Sequence, residues 1–288
     1  MRPPFPWNGA KTRLVGELTP YIKAWGGRGR WIEPFLGSGV VSRQVRRLYP
    51  NTQILAGDLN PWLVAGHQHW LSGNVEPPSL NDVSKESIAR YRAFRDADFS
   101  DLSERDRALR FFVCLYSAWG NRWQTKDDGT FATPINKARK GGDADFLLRR
   151  LRESHGSGWF TDHDHLTHGG WRILAEQAEP GDLVFLDSPY PETAGYCVGW
   201  NLRDWSEMYL WVREAVGRGV HVLVCNPGTL ALLWGLVMER QQEKFTPPQG
   251  RSTAPRVEYI GYHGPWETAG KSEPMDLMDF FESCRGLG

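Results

Sequence analysis

The feature that most constrains the fold is a short apolar segment that leads directly into a glycine turn and a helical pattern. The sequence over residues 29–48 contains Gly29-Arg-Trp-Ile-Glu-Pro-Phe-Leu-Gly-Ser-Gly39. Apolar Val40, Val41, Val45 and Leu48 follow at helical spacing. This pattern predicts a strand, a tight turn and a helix, the first unit of an α/β fold.

Three more segments continue this alternation. An apolar run over Thr52–Asn60 ends at Asp58, and a buried-strand pattern over Gly181–Tyr190 stops at Asp187. A helical pattern over Asp204–Val216 precedes another apolar run, His221–Asn226. Strands alternating with helices predict a doubly wound α/β sheet, whose ligands bind beyond the carboxyl ends of the strands.

The residues between about 72 and 159 interrupt this alternation. Helical patterns cover 88–99 and 104–118, and Asp127-Asp-Gly-Thr130 indicates a turn between short strands. We therefore predict an α/β domain of residues 1–71 and 160–288 with a mainly helical insertion, 72–159. The insertion contains a basic cluster, which fits either DNA contact or a solvated face. Its members are Lys137, Arg139, Lys140, Arg149, Arg150 and Arg152.

The overall composition is that of a globular protein with balanced charge. Because 34 basic residues match 34 acidic ones, any nucleic-acid binding has to come from local clusters. The four cysteines lie far apart, which favours unreactive thiols over a metal site. We find neither a signal peptide nor an apolar run of about 20 residues, and so expect a cytoplasmic protein.

Two candidate ligand sites follow from the strand ends. Gly37 and Gly39 let the backbone approach a ligand, and Asp58 can accept hydrogen bonds from ribose hydroxyls. The glycine spacing is shorter than the GxGxxG pattern of nicotinamide enzymes, which weakens that alternative. Asp187-Ser-Pro-Tyr190 combines a carboxylate, backbone carbonyls and an aromatic face, a set that suits an amino group on a planar ring. A plain strand-to-loop turn is the other interpretation of that tetrapeptide.

The order of these motifs resembles the Dam-like family of DNA adenine N6-methyltransferases. The family's elements have counterparts in Trp7-Asn-Gly-Ala-Lys11, Glu33-Pro-Phe-Leu-Gly-Ser-Gly39, Asp58-Leu-Asn-Pro61 and Asp187-Ser-Pro-Tyr190. Asn121-Arg-Trp, with Asp128 to Pro134, is similar to the family's recognition stretch, and Arg256-Val-Glu-Tyr-Ile260 to its closing strand. The resemblance covers nearly the whole chain. It departs from the family at Ser188, where the family usually has proline.

The resemblance implies a Rossmann-like methyltransferase that transfers a methyl group from S-adenosylmethionine to a flipped adenine in double-stranded DNA, without a metal. Asp187, Ser188, Pro189 and Tyr190 would hold the adenine. The expected cofactor residues are Trp7, Lys11, Glu33, Phe35, Gly37, Gly39, Asp58, Asn60, Asp164 and Asp187, with Asp162 as an alternative to Asp164. The expected DNA-binding residues are Arg122, Gln124, Thr125, Lys126, Lys137, Arg139 and Lys140.

Four other interpretations stay open at this stage. A methyltransferase of the same fold could act on RNA or another amine, and Ser188 is compatible with a DNA-binding remnant that lacks turnover. A nicotinamide-dependent oxidoreductase would share the scaffold. The histidines between His155 and His168 could ligate zinc, although polar loop histidines are common.

Overall fold

A seven-stranded mixed sheet forms the centre of the computed structural model. The structure describes residues 3–83, 98–125, 131–134, 136, 144–189, 200, 202–227, 240–246 and 256–264. Within these ranges the strand order is β3-β2-β1-β4-β5-β7-β6. The strands are β1 (Trp31–Glu33), β2 (Ile54–Asp58), β3 (His165–His168), β4 (Leu183–Leu186), β5 (His221–Pro227), β6 (Arg240–Thr246) and β7 (Arg256–His263).

The first five strands run parallel, and β7 is antiparallel to both of its neighbours. The carboxyl ends of β1, β2 and β4 therefore lie side by side, where Glu33, Asp58 and Asp187 end or follow them. This arrangement confirms the predicted Rossmann-like α/β architecture. It also places the polar strand endings at one edge of the sheet.

The helices of the described ranges flank this sheet. They are α1 (Val15–Trp25), α2 (Val40–Leu48), α3 (Pro61–Ala65), α4 (Glu104–Ser117), α5 (Ala144–Ser154), α6 (Arg172–Ala175) and α7 (Leu202–Gly217). A π-helical stretch, Gly66–Leu71, continues α3. The helices expected near 104–118 and 204–216 are confirmed, whereas most of the helix expected over 88–99 falls outside the described residues.

Alternate side chains of β1 enter two different cores. Trp31 joins one core with α1, α2 and α4, and it stacks on Phe185 with 5.7 Å between ring centroids. Ile32 joins the core on the opposite face, together with apolar side chains of α6 and α7. The two-residue period of a strand thus buries both faces of the sheet, as expected for parallel strands.

Helix α4 belongs to the first core although it lies within the sequence assigned to the insertion. Phe111 and Phe112 are fully buried and pack edge-to-face on Phe5 near the amino terminus. Arg110 is also buried, and its guanidinium lies 3.5 Å from the centroid of the Trp62 ring. This helix is therefore an integral part of the packing of the first core.

None of the helices in the described ranges combines the length and apolar composition of a membrane span. Cys114 and Cys225 are buried, and neither belongs to a disulfide in the described part of the chain. The other two cysteines, Cys197 and Cys284, lie outside the described residues.

Candidate active site at the carboxyl edge of the sheet

The glycine turn between β1 and α2 is anchored to the end of β2. The Leu36 N–H donates to the Gly57 carbonyl at 2.8 Å, and the Gly37 N–H donates to Asp58 Oδ2 at 3.0 Å. Gly37 and Gly39 have φ values of 48° and 65°, a left-handed conformation that glycine adopts without strain. The turn and the acidic strand end, which were predicted to bind one ligand together, thus form one hydrogen-bonded unit.

Two tryptophan rings cover the glycines closely. A Cβ atom added to Gly37 would lie 2.9 Å from Trp7 Nε1, and one added to Gly39 would lie 2.6 Å from the Trp159 ring. Both positions therefore require glycine for space as well as for conformation. Trp7 belongs to the predicted cofactor set, whereas Trp159 was missed because no spacing in the sequence connects it with the turn.

The end of β2 combines an acidic group with an exposed apolar side chain. Asp58 Oδ1 accepts the Asn60 N–H at 3.0 Å, and burial raises the pKa of Asp58. Asn60 is buried and caps α3, because its Oδ1 accepts the N–H groups of Trp62 and Leu63. Leu59 between them is 46% exposed, and sequence reasoning did not select it.

Lys11 and Asp187 form an ion pair at the carboxyl end of β4. The distance from Lys11 Nζ to Asp187 Oδ1 is 2.6 Å, and the two side chains are only 7% and 16% exposed. Lys11 also donates to the Gly9 carbonyl at 3.1 Å. The structure therefore brings together the amino-terminal motif and the Asp-Ser-Pro motif, which are 176 positions apart by their residue numbers.

Glu33 lies underneath the glycine turn, inside the protein. It accepts hydrogen bonds from Trp31 Nε1 and the Ser42 N–H at 3.1 Å each, and from the Ser42 hydroxyl. Burial raises the pKa of Glu33 to about 8, although these hydrogen bonds oppose the shift, and the negative charge of Asp187 adds to it. Glu33 was expected to bind the cofactor, but its bonds connect β1 with α2.

Ser188, which follows Asp187, and Phe35, which follows β1, occupy different environments. Ser188 is 2% exposed, and its Oγ has no hydrogen-bond partner among the residues that the structure describes. Phe35 packs edge-to-face against Trp200 with a centroid distance of 5.4 Å. Pro189 is half-buried. Tyr190, predicted to stack on the base, lies outside the described residues.

The structure does not bring Asp164 to this cluster. Asp164 precedes β3, and its Oδ1 accepts the N–H of Ile54, the first residue of β2, at 2.8 Å. Both carboxylate oxygens also accept from Arg46, at 2.7 and 2.6 Å. The side chain thus sits at the amino ends of two parallel strands, opposite to the glycine turn. The alternative, Asp162, is exposed.

Part of the predicted DNA-binding segment follows α4. The Gln124 N–H donates to Thr133 Oγ1 at 3.0 Å, and Thr125 pairs with Phe131 in an antiparallel bridge across the expected turn. The Arg122 guanidinium lies 5.3 Å from the ring centroid of Trp119, which is 56% exposed. Trp119 was missed, since only its exposure distinguishes it from core tryptophans. Lys126, Lys137, Arg139 and Lys140 lie outside the described residues.

The histidines considered as zinc ligands have other contacts. His155 Nε2 is 2.8 Å from the Val75 carbonyl, and His168 Nε2 is 3.2 Å from the Leu59 carbonyl. Within the described ranges no three His, Cys, Asp or Glu side chains are grouped closely enough to hold a metal ion.

Comparisons with known proteins give one family match. The family model described as MethyltransfD12, D12 class N6 adenine-specific DNA methyltransferase, matches residues 7–208. No curated protein matches the chain. The solved structure of the rRNA methyltransferase aviRa from Streptomyces viridochromogenes aligns at 15% identity and a TM-score of 0.34, over 87% of this chain and 84% of that one.

Proposed function

The chain belongs to the family of D12 class N6 adenine-specific DNA methyltransferases, and from this premise we propose that S-adenosylmethionine is its methyl donor and Asp187 its amine-binding group. The enzyme methylates adenine in DNA. The observation that supports the proposed role of Asp187 is its ion pair with Lys11, in which Lys11 Nζ lies 2.6 Å from Asp187 Oδ1. It lies at the strand edge where the glycine turn and Asp58 also meet.

The residues around the glycine turn fit S-adenosylmethionine. Asp58 accepts backbone N–H groups at both oxygens, and a carboxylate has about four acceptor positions, which leaves room for a hydrogen bond from a ribose hydroxyl. The exposed Leu59 offers an apolar surface for an adenine ring. When bound, S-adenosylmethionine supplies a methyl group on a sulfonium, activated for transfer to an amine. Asp58 and the turn would hold it beside Asp187.

Asp187 and Ser188 would orient the amine of the target adenine. The Asp187 carboxylate and the Ser188 carbonyl would each accept one hydrogen of the amino group, leaving the nitrogen lone pair free to form the new N–C bond as the methyl–sulfur bond breaks and the sulfonium becomes a neutral thioether. The nitrogen then releases one hydrogen as a proton, and the Asp187 carboxylate is the base within reach. Lys11 holds a compensating positive charge beside that carboxylate.

The adenine would reach this site by leaving the duplex. Flipping costs a few kcal/mol of stacking, which Tyr190 would offset by stacking on the base. Arg122, Gln124 and Thr125, with Lys126, would read base edges, while Lys137, Arg139 and Lys140 would bind phosphates. The support for this surface is Trp119, whose exposed ring lies against Arg122 on the segment that follows α4. Residues 72–159 would thus select the target, and 1–71 with 160–288 would carry the reaction.

Nucleoside mass spectrometry on unmethylated genomic DNA incubated with S-adenosylmethionine tests this function. We expect N6-methyladenine with the wild type and a loss of at least about 100-fold with Asp187→Ala, because the amine loses its acceptor. Calorimetry should show nearly unchanged cofactor binding by that variant. The matched control is Asp162→Ala, an exposed carboxylate whose loss should leave the rate unchanged. Equal loss of transfer and cofactor binding in Asp187→Ala would refute the assignment of Asp187 to the amine.

Ser188 favours one second candidate, the same chemistry on a different amine. A serine at this position leaves a buried hydroxyl without a partner in the described part of the chain, next to the amine-binding carboxylate. The acceptor pocket therefore differs from that of a proline-containing motif. Parallel reactions with RNA and free nucleosides separate the two functions. Methylation of either, with none of DNA, would favour the second candidate.

A further inference from the structure

His67 is buried at the glycine turn and contacts its backbone directly. The side chain lies in the π-helical stretch Gly66–Leu71 and is 1% exposed. Its Nε2 is 2.9 Å from the Gly37 carbonyl oxygen. A carbonyl oxygen only accepts hydrogen bonds, so Nε2 carries the hydrogen and donates it.

The surroundings of His67 keep the ring neutral. Phe5, Trp159 and Phe160 surround it edge-on, with centroid distances of 5.5, 5.9 and 5.8 Å. Its Nδ1 is buried and has no hydrogen-bond partner in the described part of the chain. Burial among these rings lowers the pKa of His67 to about 4. A neutral, inaccessible imidazole is suited to holding a partner and not to moving protons.

Gly37 is consequently held at both of its backbone polar groups. Its N–H donates to Asp58, and its C=O accepts from His67. Because the peptide group that follows Gly37 is planar and trans, fixing the carbonyl also fixes the Ser38 N–H on the side away from His67. A left-handed glycine without these two bonds would sample many more backbone conformations.

We propose that His67 is a positioning residue for the cofactor, which fixes the Gly37–Ser38 peptide in the orientation that the bound cofactor needs. This inference rests on the proposed use of S-adenosylmethionine. His67 was not selected from the sequence. It lies 30 positions after Gly37, and no motif spacing connects the two residues. A preorganised turn binds its ligand more tightly because less ordering is required on binding.

Isothermal titration calorimetry with S-adenosylmethionine, and separately with the product S-adenosylhomocysteine, tests the proposal without turnover. We expect His67→Phe to weaken both bindings at least about tenfold, since the Gly37 carbonyl loses its donor and the turn its anchor. His67→Gln places an amide N–H near the position of Nε2 and should return affinity to within about threefold. Steady-state kinetics should show a raised KM for the cofactor in His67→Phe, with the KM for DNA nearly unchanged.

A matched variant distinguishes positioning from general packing. His155 makes the same type of bond, from Nε2 to the Val75 carbonyl, and packs edge-on against Trp70. His155→Phe should lower the melting temperature without changing cofactor affinity. Unchanged affinity in His67→Phe, or equal weakening in His155→Phe, would overturn the inference. Absence of cofactor binding by the wild type would instead refute the proposed cofactor, so the two failures are distinguishable.

Discussion

At the scale of single residues, Glu33 has the most unusual environment in the site. A buried carboxyl with three hydrogen-bond donors aimed at one oxygen can be either ionised or protonated, and its surroundings decide between the two forms. Here burial dominates and places the pKa near 8. Because the unfolded chain binds that proton only below about pH 4.5, folding stability falls as the pH rises from about 4.5 to 8.

Glu33→Gln should remove this pH dependence. Glutamine resembles the protonated acid and keeps an oxygen that can accept from Trp31 and Ser42. We expect similar melting temperatures for wild type and variant at pH 5, and a more stable variant at pH 8.5, with each pKa unit contributing about 1.4 kcal/mol. Calorimetric melts across this range provide the measurement. A wild type that becomes more stable above pH 6 relative to the variant would contradict the prediction.

Gly39→Ala should weaken cofactor binding and stability together. The added methyl group would overlap the Trp159 ring and sit on a backbone with φ of 65°. Gly156→Ala is the matched control, because its φ is 67° but no atom lies within 4 Å of the new Cβ. We expect the control to lose only about 1 kcal/mol of stability and no affinity. Equal effects of the two variants in thermal melts and calorimetry would argue against contact between Trp159 and the turn.

The sequence was sufficient to select the polar residues of the candidate site, but not to predict which residues they contact. Residue type and motif order suffice to select Lys11, Asp58 and Asp187, because a strand ending in an acid is recognisable without a structure. The ion pair between Lys11 and Asp187, or the bond from His67 to Gly37, depends on chain segments that meet only in the folded protein. Asn60 and Glu33 were selected for their motifs, yet their described bonds support local structure.

At the scale of secondary-structure elements, Asp164 and Arg46 connect helix α2 to the amino ends of β2 and β3. The carboxylate is 1% exposed and the guanidinium side chain 14%, so the pair is largely shielded from water. Asp164 also accepts from the Thr161 N–H at 2.7 Å. These contacts are typical of a structural ion pair.

Asp164→Asn should therefore destabilise the protein without affecting the cofactor site. Removing one partner of a buried pair costs about 3–5 kcal/mol, since the charge of Arg46 is left uncompensated. We expect a clear drop in melting temperature and, in the folded variant at low temperature, cofactor affinity within about twofold of the wild type. The exposed Asp162→Asn serves as control for both measurements. A selective loss of cofactor affinity would restore the sequence-based assignment of Asp164.

Strands and glycine turns were predictable at this scale because each has a local sequence pattern. The position of α4 was not, since an amphipathic pattern shows that a helix has a buried face and leaves open which core receives it. Phe111 and Phe112 turned out to pack against Phe5, near the start of the sequence. Long-range packing of this kind has no signal in spacing or composition.

At the scale of the whole molecule, the charges cancel, and this has a consequence for DNA binding. With 34 basic and 34 acidic residues, attraction to DNA must come from a confined surface. The logarithm of the DNA association constant falls linearly with the logarithm of the salt concentration. Replacing Lys137, Arg139 and Lys140 by glutamine should make this slope less steep by about 0.9 for each phosphate that the variant no longer neutralises. Fluorescence anisotropy between about 50 and 200 mM salt, the range in which such binding is sensitive, measures this slope.

The control for the salt experiment is Arg203→Gln with Arg172→Gln, two basic residues that form surface ion pairs with Glu207 on α7. We expect no change in the slope for this double variant. An unchanged slope in the triple variant would place the phosphate-binding residues elsewhere on the protein.

The burial of α4 in the first core determines where a segment of this protein could be exchanged for that of a relative. Exchanging all of residues 72–159 would replace Phe111, Phe112 and Leu151 and leave their neighbours in the core unmatched. An exchange limited to the segment between Ala118, at the end of α4, and Ala144, at the start of α5, would keep these core side chains in place. A chimaera designed to test the proposed recognition role of this segment should therefore be joined at these two alanines.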